Sequence, residues 1–97
     1  MTNIRVSQSQ IGGLMFRGEV TIKTADSYYL ELSYLGQNSA TGAEVFELHT
    51  EAATPNDATE LVAQIEFDFF NFNFWVDLVE VILPDGQTIS ITVNQLI

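Results

Sequence analysis

The sequence predicts an α+β fold, an antiparallel β-sheet of about five to six strands with one α-helix packed on it, in a single domain over residues 1–97. Three observations predict it. Apolar and polar residues alternate over residues 14–23 and again over 28–35. Pro84-Asp85-Gly86 sits between two further β-rich runs. Between these halves, Thr54-Pro55 opens a stretch whose apolar residues recur at helical spacing. A small all-β sandwich or barrel is the alternative architecture.

The elements follow in chain order. Ile4 and Val6 mark a short first strand, and the polar, Gly-containing residues 7–13 form a loop. Leu14, Phe16, Gly18, Val20 and Ile22 then share one face, with Met15, Arg17, Glu19, Thr21 and Lys23 on the other. Period two over this length predicts a half-buried strand. A turn over residues 24–27 leads to a third strand, in which Tyr28, Leu30, Leu32 and Tyr34 alternate with Tyr29, Glu31, Ser33 and Leu35. Its proximity in sequence predicts a hairpin with the second strand. A loop of small polar residues over 36–42 precedes a fourth strand over 44–50.

The helix has a start signal. Thr54 is a good N-cap, Pro55 suits the first helical position and Asp57 closes a Thr-x-x-Asp box. Ala58, Leu61, Val62, Ile65 and Phe69 follow at steps of three and four, and Asn71 and Asn73 favour a break. In the last segment, residues 76–83 and 87–93 flank Pro84-Asp85-Gly86, which suits a bulged three-residue hairpin loop. That register sets Val81 beside Ile89 and Val79 beside Ile91.

Composition narrows the function classes. Nearly half the residues are apolar, which excludes disorder as the default. The absence of cysteine excludes disulfides and thiolate metal sites, and it suits a reducing, cytoplasmic compartment. Residues 1–10 are polar with one Arg and lack a leader pattern, and no apolar run approaches the roughly 20 residues of a membrane span. Thirteen acids face three bases, for a net charge of −10. Arg5, Arg17 and Lys23 all lie early, among Glu19, Asp26 and Glu31, whereas residues 42–97 hold ten acids and no Lys or Arg. Such a surface disfavours nucleic acid and anionic membranes as direct partners and favours a cationic one.

Catalytic chemistry finds no constellation. His49 is the one histidine and no nucleophile elbow accompanies it. Glu66-x-Asp68 is too short a motif for a metal site, and Gly12-Gly13 lacks the Lys of a phosphate loop. No enzyme activity, cofactor or metal is expected.

Acids and aromatics remain. On the predicted helix, Asp57, Glu60, Gln64 and Asp68 fall on one face, a row of about 16 Å at 1.5 Å per residue. Glu44, Glu47 and Glu51 precede it, and Asp77, Glu80 and Asp85 follow. Glu44, Glu47, Asp57, Glu60, Glu66, Asp68, Asp77 and Glu80 are the candidate partner-binding residues. Residues 67–75 contain six aromatics in nine positions, suited to core or to a partner-binding patch.

A row of carboxylates can present charge much as phosphates do. In size, acidity and lack of catalytic residues, the chain resembles phage-encoded anti-CRISPR inhibitors of the DNA-mimic kind. The resemblance covers overall character and carries over no single residue. It implies a non-enzymatic inhibitor, acting in the cytoplasm of an infected bacterial cell. Its implied partner is a basic nucleic-acid-binding complex, a type I CRISPR surveillance complex, whose positively charged groove it would occupy to block target DNA. A monomer fits that role. The alternative is a phage virion, tail or other assembly protein that homo-oligomerises through its aromatic patch.

Overall fold

Alternation of apolar and polar residues governs the chain in the computed structural model, which describes residues 2–10, 13–24, 28–52, 59–70, 72 and 74–96. Eight strands form: β1 (Asn3–Gln8), β2 (Leu14–Thr24), β3 (Tyr28–Gln37), β4 (Glu44–Ala52), β5 (Thr59–Phe69), β6 (Leu78–Ile82), β7 (Thr88–Thr92) and β8 (Asn94–Gln95). They make two four-stranded sheets, β5-β2-β1-β8 and β3-β4-β6-β7. Their inner faces share one core that includes Phe16, Val20, Phe46, Leu48, Ile65, Val79 and Val81. The fold is therefore all-β, and the α+β expectation is overturned: the described residues contain no helix.

The expected helix is the main correction. Its start signals, Thr54, Pro55 and Asp57, lie outside the described residues, as does Ala58. Its body is β5. Residues 59–69 satisfy period two as well as period 3.6. Ala63 and Ile65 are buried, with Phe67 and Phe69 packed against the core, while Val62, Gln64, Glu66 and Asp68 are exposed. The tie is broken by a partner. β5 pairs antiparallel with β2 over eleven positions, from Leu14↔Phe69 to Thr24↔Thr59. A helix would have set Glu60, Gln64 and Asp68 on one face with no basic residue among them. The strand instead sets Glu66 opposite Arg17 and Glu60 opposite Lys23. Opposite charges across a strand pair stabilise it.

Two further expectations change. β2 and β3 do not form a hairpin; they lie in different sheets, and β3 pairs with β4 instead, with a bulge between Tyr34 and Gly36. The turn expected over residues 24–27 falls mostly outside the described residues. Nor are the sheets purely antiparallel: β1 runs parallel to β8 and β4 parallel to β6. The C-terminal hairpin has the expected register, Val81↔Ile89 and Val79↔Ile91. The Gly86 amide donates to the Leu83 carbonyl (2.9 Å), the Asp85 carboxylate accepts from the Gln87 amide (2.9 Å), and Gly86 takes a φ of 91°.

Gln8 holds the long connection between β5 and β6 to the first sheet. Its side chain is 1% exposed. Its Nε2 donates to the Phe74 carbonyl (2.7 Å) and its Oε1 accepts from the Val76 amide (2.7 Å). Both buried polar ends are thereby satisfied. Aromatic rings pack together in the core, with Phe16–Phe46 edge to face at 4.8 Å and Phe46–Phe69 tilted at 5.0 Å.

Gly18 lies at the middle of β2, opposite Ile4, with a φ of 140°. A Cβ there would stand 1.9 Å from the Asn3 carbonyl oxygen. That atom is backbone, so it cannot swing aside. Gly18→Ala should destabilise the fold by at least about 3 kcal/mol, combining the strained dihedral with separation of β1 from β2. The fall in urea midpoint measures it, and an unchanged midpoint would contradict the placement of β1.

Candidate functional site

The strands sort the charges by sheet. Those of the β5-β2-β1-β8 sheet contain four acids and all three bases, Arg5, Arg17 and Lys23. Those of the β3-β4-β6-β7 sheet contain five acids and no Lys or Arg. Their sequence separation hid this. β3 and β4 pair locally, but β6 reaches β4 only by a crossover from the far end of the chain.

On the second sheet, cross-strand register fixes which acids share the outer face. Glu31 pairs with His49, and Val45 pairs with Glu80. Positions 49, 47 and 45 of β4 alternate onto one side, away from the buried Phe46 and Leu48. Glu31, Glu47 and Glu80 therefore form a diagonal across three adjacent strands. Strand spacing of about 4.8 Å and a two-residue rise of about 6.7 Å put successive carboxylate positions about 8 Å apart. His49 interrupts this face, with its Nε2 2.7 Å from the Glu47 Oε1. Glu80 also anchors the β3–β4 loop, accepting from Asn38 Nδ2 and Thr41 Oγ1 at 3.0 Å each.

The predicted partner-binding residues are thus divided. Glu47 and Glu80 join this diagonal. Glu60, Glu66 and Asp68 lie exposed on β5 in the opposite sheet, beside the bases. Arg17 bridges Asp68 at 2.9 Å and also donates to the Phe67 carbonyl at 3.3 Å. Asp77 is in the connection before β6 and accepts from Gln95 Nε2 at 2.9 Å. Asp57 lies outside the described residues. Glu31 was missed, because sequence proximity grouped it with the early bases. Its alternation with Leu30 and Leu32 was the available signal.

Glu44 is corrected outright. It is 3% exposed, on the inner side of β4, so it cannot serve a partner as an open carboxylate. Tyr34 Oη donates to its Oε2 at 3.3 Å. The Tyr34 ring in turn rests on Phe46 (5.2 Å) and Phe72 (5.3 Å). Desolvation, and then the neighbouring Glu44 charge and hydrogen bond, raise the Tyr34 phenol above its ordinary value.

The aromatic run splits between both expected roles. Phe72 is buried and Phe69 joins the core cluster. Phe70 (66% exposed), Phe74 (52%) and Trp75 (45%) face outward. They lie at the end of the molecule where Gln8, Leu14 and Phe69 come together, since Gln8 pairs with Leu14 and Leu14 with Phe69.

Among the described residues no three His, Asp or Glu side chains gather into a metal-ligating group, and no helix is long and apolar enough to cross a membrane. No family model matches the chain, and neither a curated protein nor a solved structure matches it.

The raised Tyr34 value has a definite pH consequence. Below about pH 10 the phenol is protonated in folded and unfolded chains alike, and its contribution to stability is complete. That contribution is lost as pH rises through the higher folded value. A difference titration of ultraviolet absorbance between the wild type and Tyr34→Phe should reveal a phenol ionising above the ordinary range. Glu44→Gln should lower that value part of the way; identical titrations in both backgrounds would contradict the contact.

Proposed function

We propose that the protein is a non-enzymatic inhibitor that lays the outer face of the β3-β4-β6-β7 sheet on a cationic nucleic-acid-binding surface of a partner. One observation carries the reading: besides the enclosed Glu44, the strands of that sheet hold four acids without a Lys or Arg, while the opposite sheet collects all three bases. Ordinary surfaces intersperse the two signs. One strongly negative face and one nearly balanced face give the molecule a direction of approach. A positive groove would steer it in, with rapid, salt-sensitive association. Carboxylates about 8 Å apart on a rigid sheet would stand in for backbone phosphates. The likeness in size and charge to anti-CRISPR DNA mimics makes a type I CRISPR surveillance complex the first target to test.

The experiment is a DNA mobility shift with purified crRNA-guided complexes. The protein should abolish the shifted band at low salt. Glu31→Lys with Glu47→Lys should weaken inhibition by about tenfold or more, whereas Glu60→Lys with Glu66→Lys should weaken it much less. An unaffected band with several complex types would remove this target, and equal effects of the two pairs would remove the assignment of the face.

The exposed Phe70, Phe74 and Trp75 favour a second reading, assembly of like subunits through the aromatic end. The net charge of −10 opposes it by self-repulsion. Light scattering across a concentration series separates the readings. The inhibitor should keep a monomer mass of 10.8 kDa; a stable larger mass, lost in Trp75→Ser, would favour assembly.

A further inference from the structure

β4 is flanked unequally. β3 pairs with it from Glu44 to Ala52, but β6 covers its other edge only from Glu44 to Glu47. Beyond that point β6 ends and the chain turns away at Leu83-Pro84, closed by the Gly86 to Leu83 hydrogen bond. Among the described residues, no strand pairs with this edge of β4 from residue 48 to 52. Among the described residues the outward-directed backbone groups there have no ladder partner, which makes the edge a template for another strand. Five residues at about 3.3 Å each give it a length of about 16 Å.

The divergence of β4 and β6 opens space beside that edge. One cavity of about 250 Å³ is lined by residues 47–50 and by Ile82, Leu83, Pro84 and Gly86. A second, of about 610 Å³, meets it at Thr50 and Pro84 and includes Ile22, Glu60 and Asp85 in its walls. The larger falls within the roughly 300–1,000 Å³ range of ligand sites. Among the described lining residues, Glu47, Glu60 and Asp85 carry the charge. The Thr50 hydroxyl, at the junction, is buried without a hydrogen-bond partner among the described residues. Glu47 and His49 belong both to this cleft and to the acidic outer face.

We infer that the open edge of β4 over residues 48–52 receives an extended, Lys- or Arg-bearing segment of a protein partner, added to the second sheet in line with β6. The inference rests on the reading of a cationic partner and deepens it. Main-chain pairing supplies the register, and alternate side chains supply specificity. Basic residues at every second position of the segment fall on the outer side, with Glu47; small apolar residues between them face the cavity. A second copy of this chain fits the edge less well, because it would bring acid against acid.

The probe is a synthetic eight-residue peptide of alternating Lys and Val, with a control of equal charge in which the central Val residues are Pro. Amide hydrogen exchange of the full chain is followed by NMR, together with chemical shifts around Glu31, Glu47 and Glu80. The Lys/Val peptide should slow exchange of the edge-directed amides within residues 48–52 by about tenfold or more, and the Pro control should not. Shifts on the acidic face without edge protection would overturn the inference and leave the face reading intact. No response to either peptide would also overturn it, and the mobility shift then decides the face reading separately. Protection that grows with protein concentration in the absence of peptide would assign the edge to a second copy, and likewise overturn it.

Discussion

Pairing of β2 with β5 is the constraint on which the rest of the molecule depends. The two strands match over eleven positions, and the match holds on both faces. Inside, Phe16, Val20 and Ile65 enter the shared core. Outside, Glu66 and Asp68 meet Arg17. The Arg17–Asp68 bridge is surface-exposed and worth little by itself. Its importance is selective: it removes the penalty that the acids of β5 would carry without a basic neighbour. With β5 committed to β2, the described residues make two sheets and no helix.

The sorting of charge follows from that commitment. Arg5, Arg17 and Lys23 sit in strands that neighbour one another in the first sheet. β3, β4, β6 and β7 are drawn from chain segments that contain no Lys or Arg. The acidic face is therefore a product of topology acting on an uneven sequence. Within that sheet the carboxylates are not equivalent. Glu31 is open to solvent, Glu47 leans on His49, Glu80 ties down a loop and Glu44 is enclosed under Tyr34. The acidic surface thus borrows part of its charge from groups that also hold the fold.

Gln8 plays the corresponding part for the aromatic end. By holding Phe74 and Val76 through their backbones, it leaves the Phe74 and Trp75 side chains outward while Phe72 closes the core. Backbone tethering through a buried amide separates position from side-chain burial, so apolar residues can stay exposed without loosening the connection that carries them. The open edge of β4 has the same character. Leu83-Pro84 ends β6 early, because Pro cannot donate to the ladder, and leaves β4 half-flanked.

The sequence by itself determined the strands whose alternation had no competitor. The first strand, the apolar and polar faces of β2 and β3, the fourth strand and the β6–β7 hairpin register were all legible, because a period of two with turn residues at its ends admits one local solution. Residues 59–69 satisfied two periods at once, and only a partner strand 35 to 55 residues away in sequence could choose between them. The same limit hid the site. Alternation set Glu31, Glu47 and Glu80 on the opposite side of their strands from the apolar core positions, but nothing local said that β6 would lie beside β4 and not beside β5. Nor did alternation reveal that the face holding Glu44 would be sealed. Local patterning decides which way a side chain points from its strand; only the order of strands decides what it points toward, and that order is set by long-range pairing that no short stretch of sequence contains.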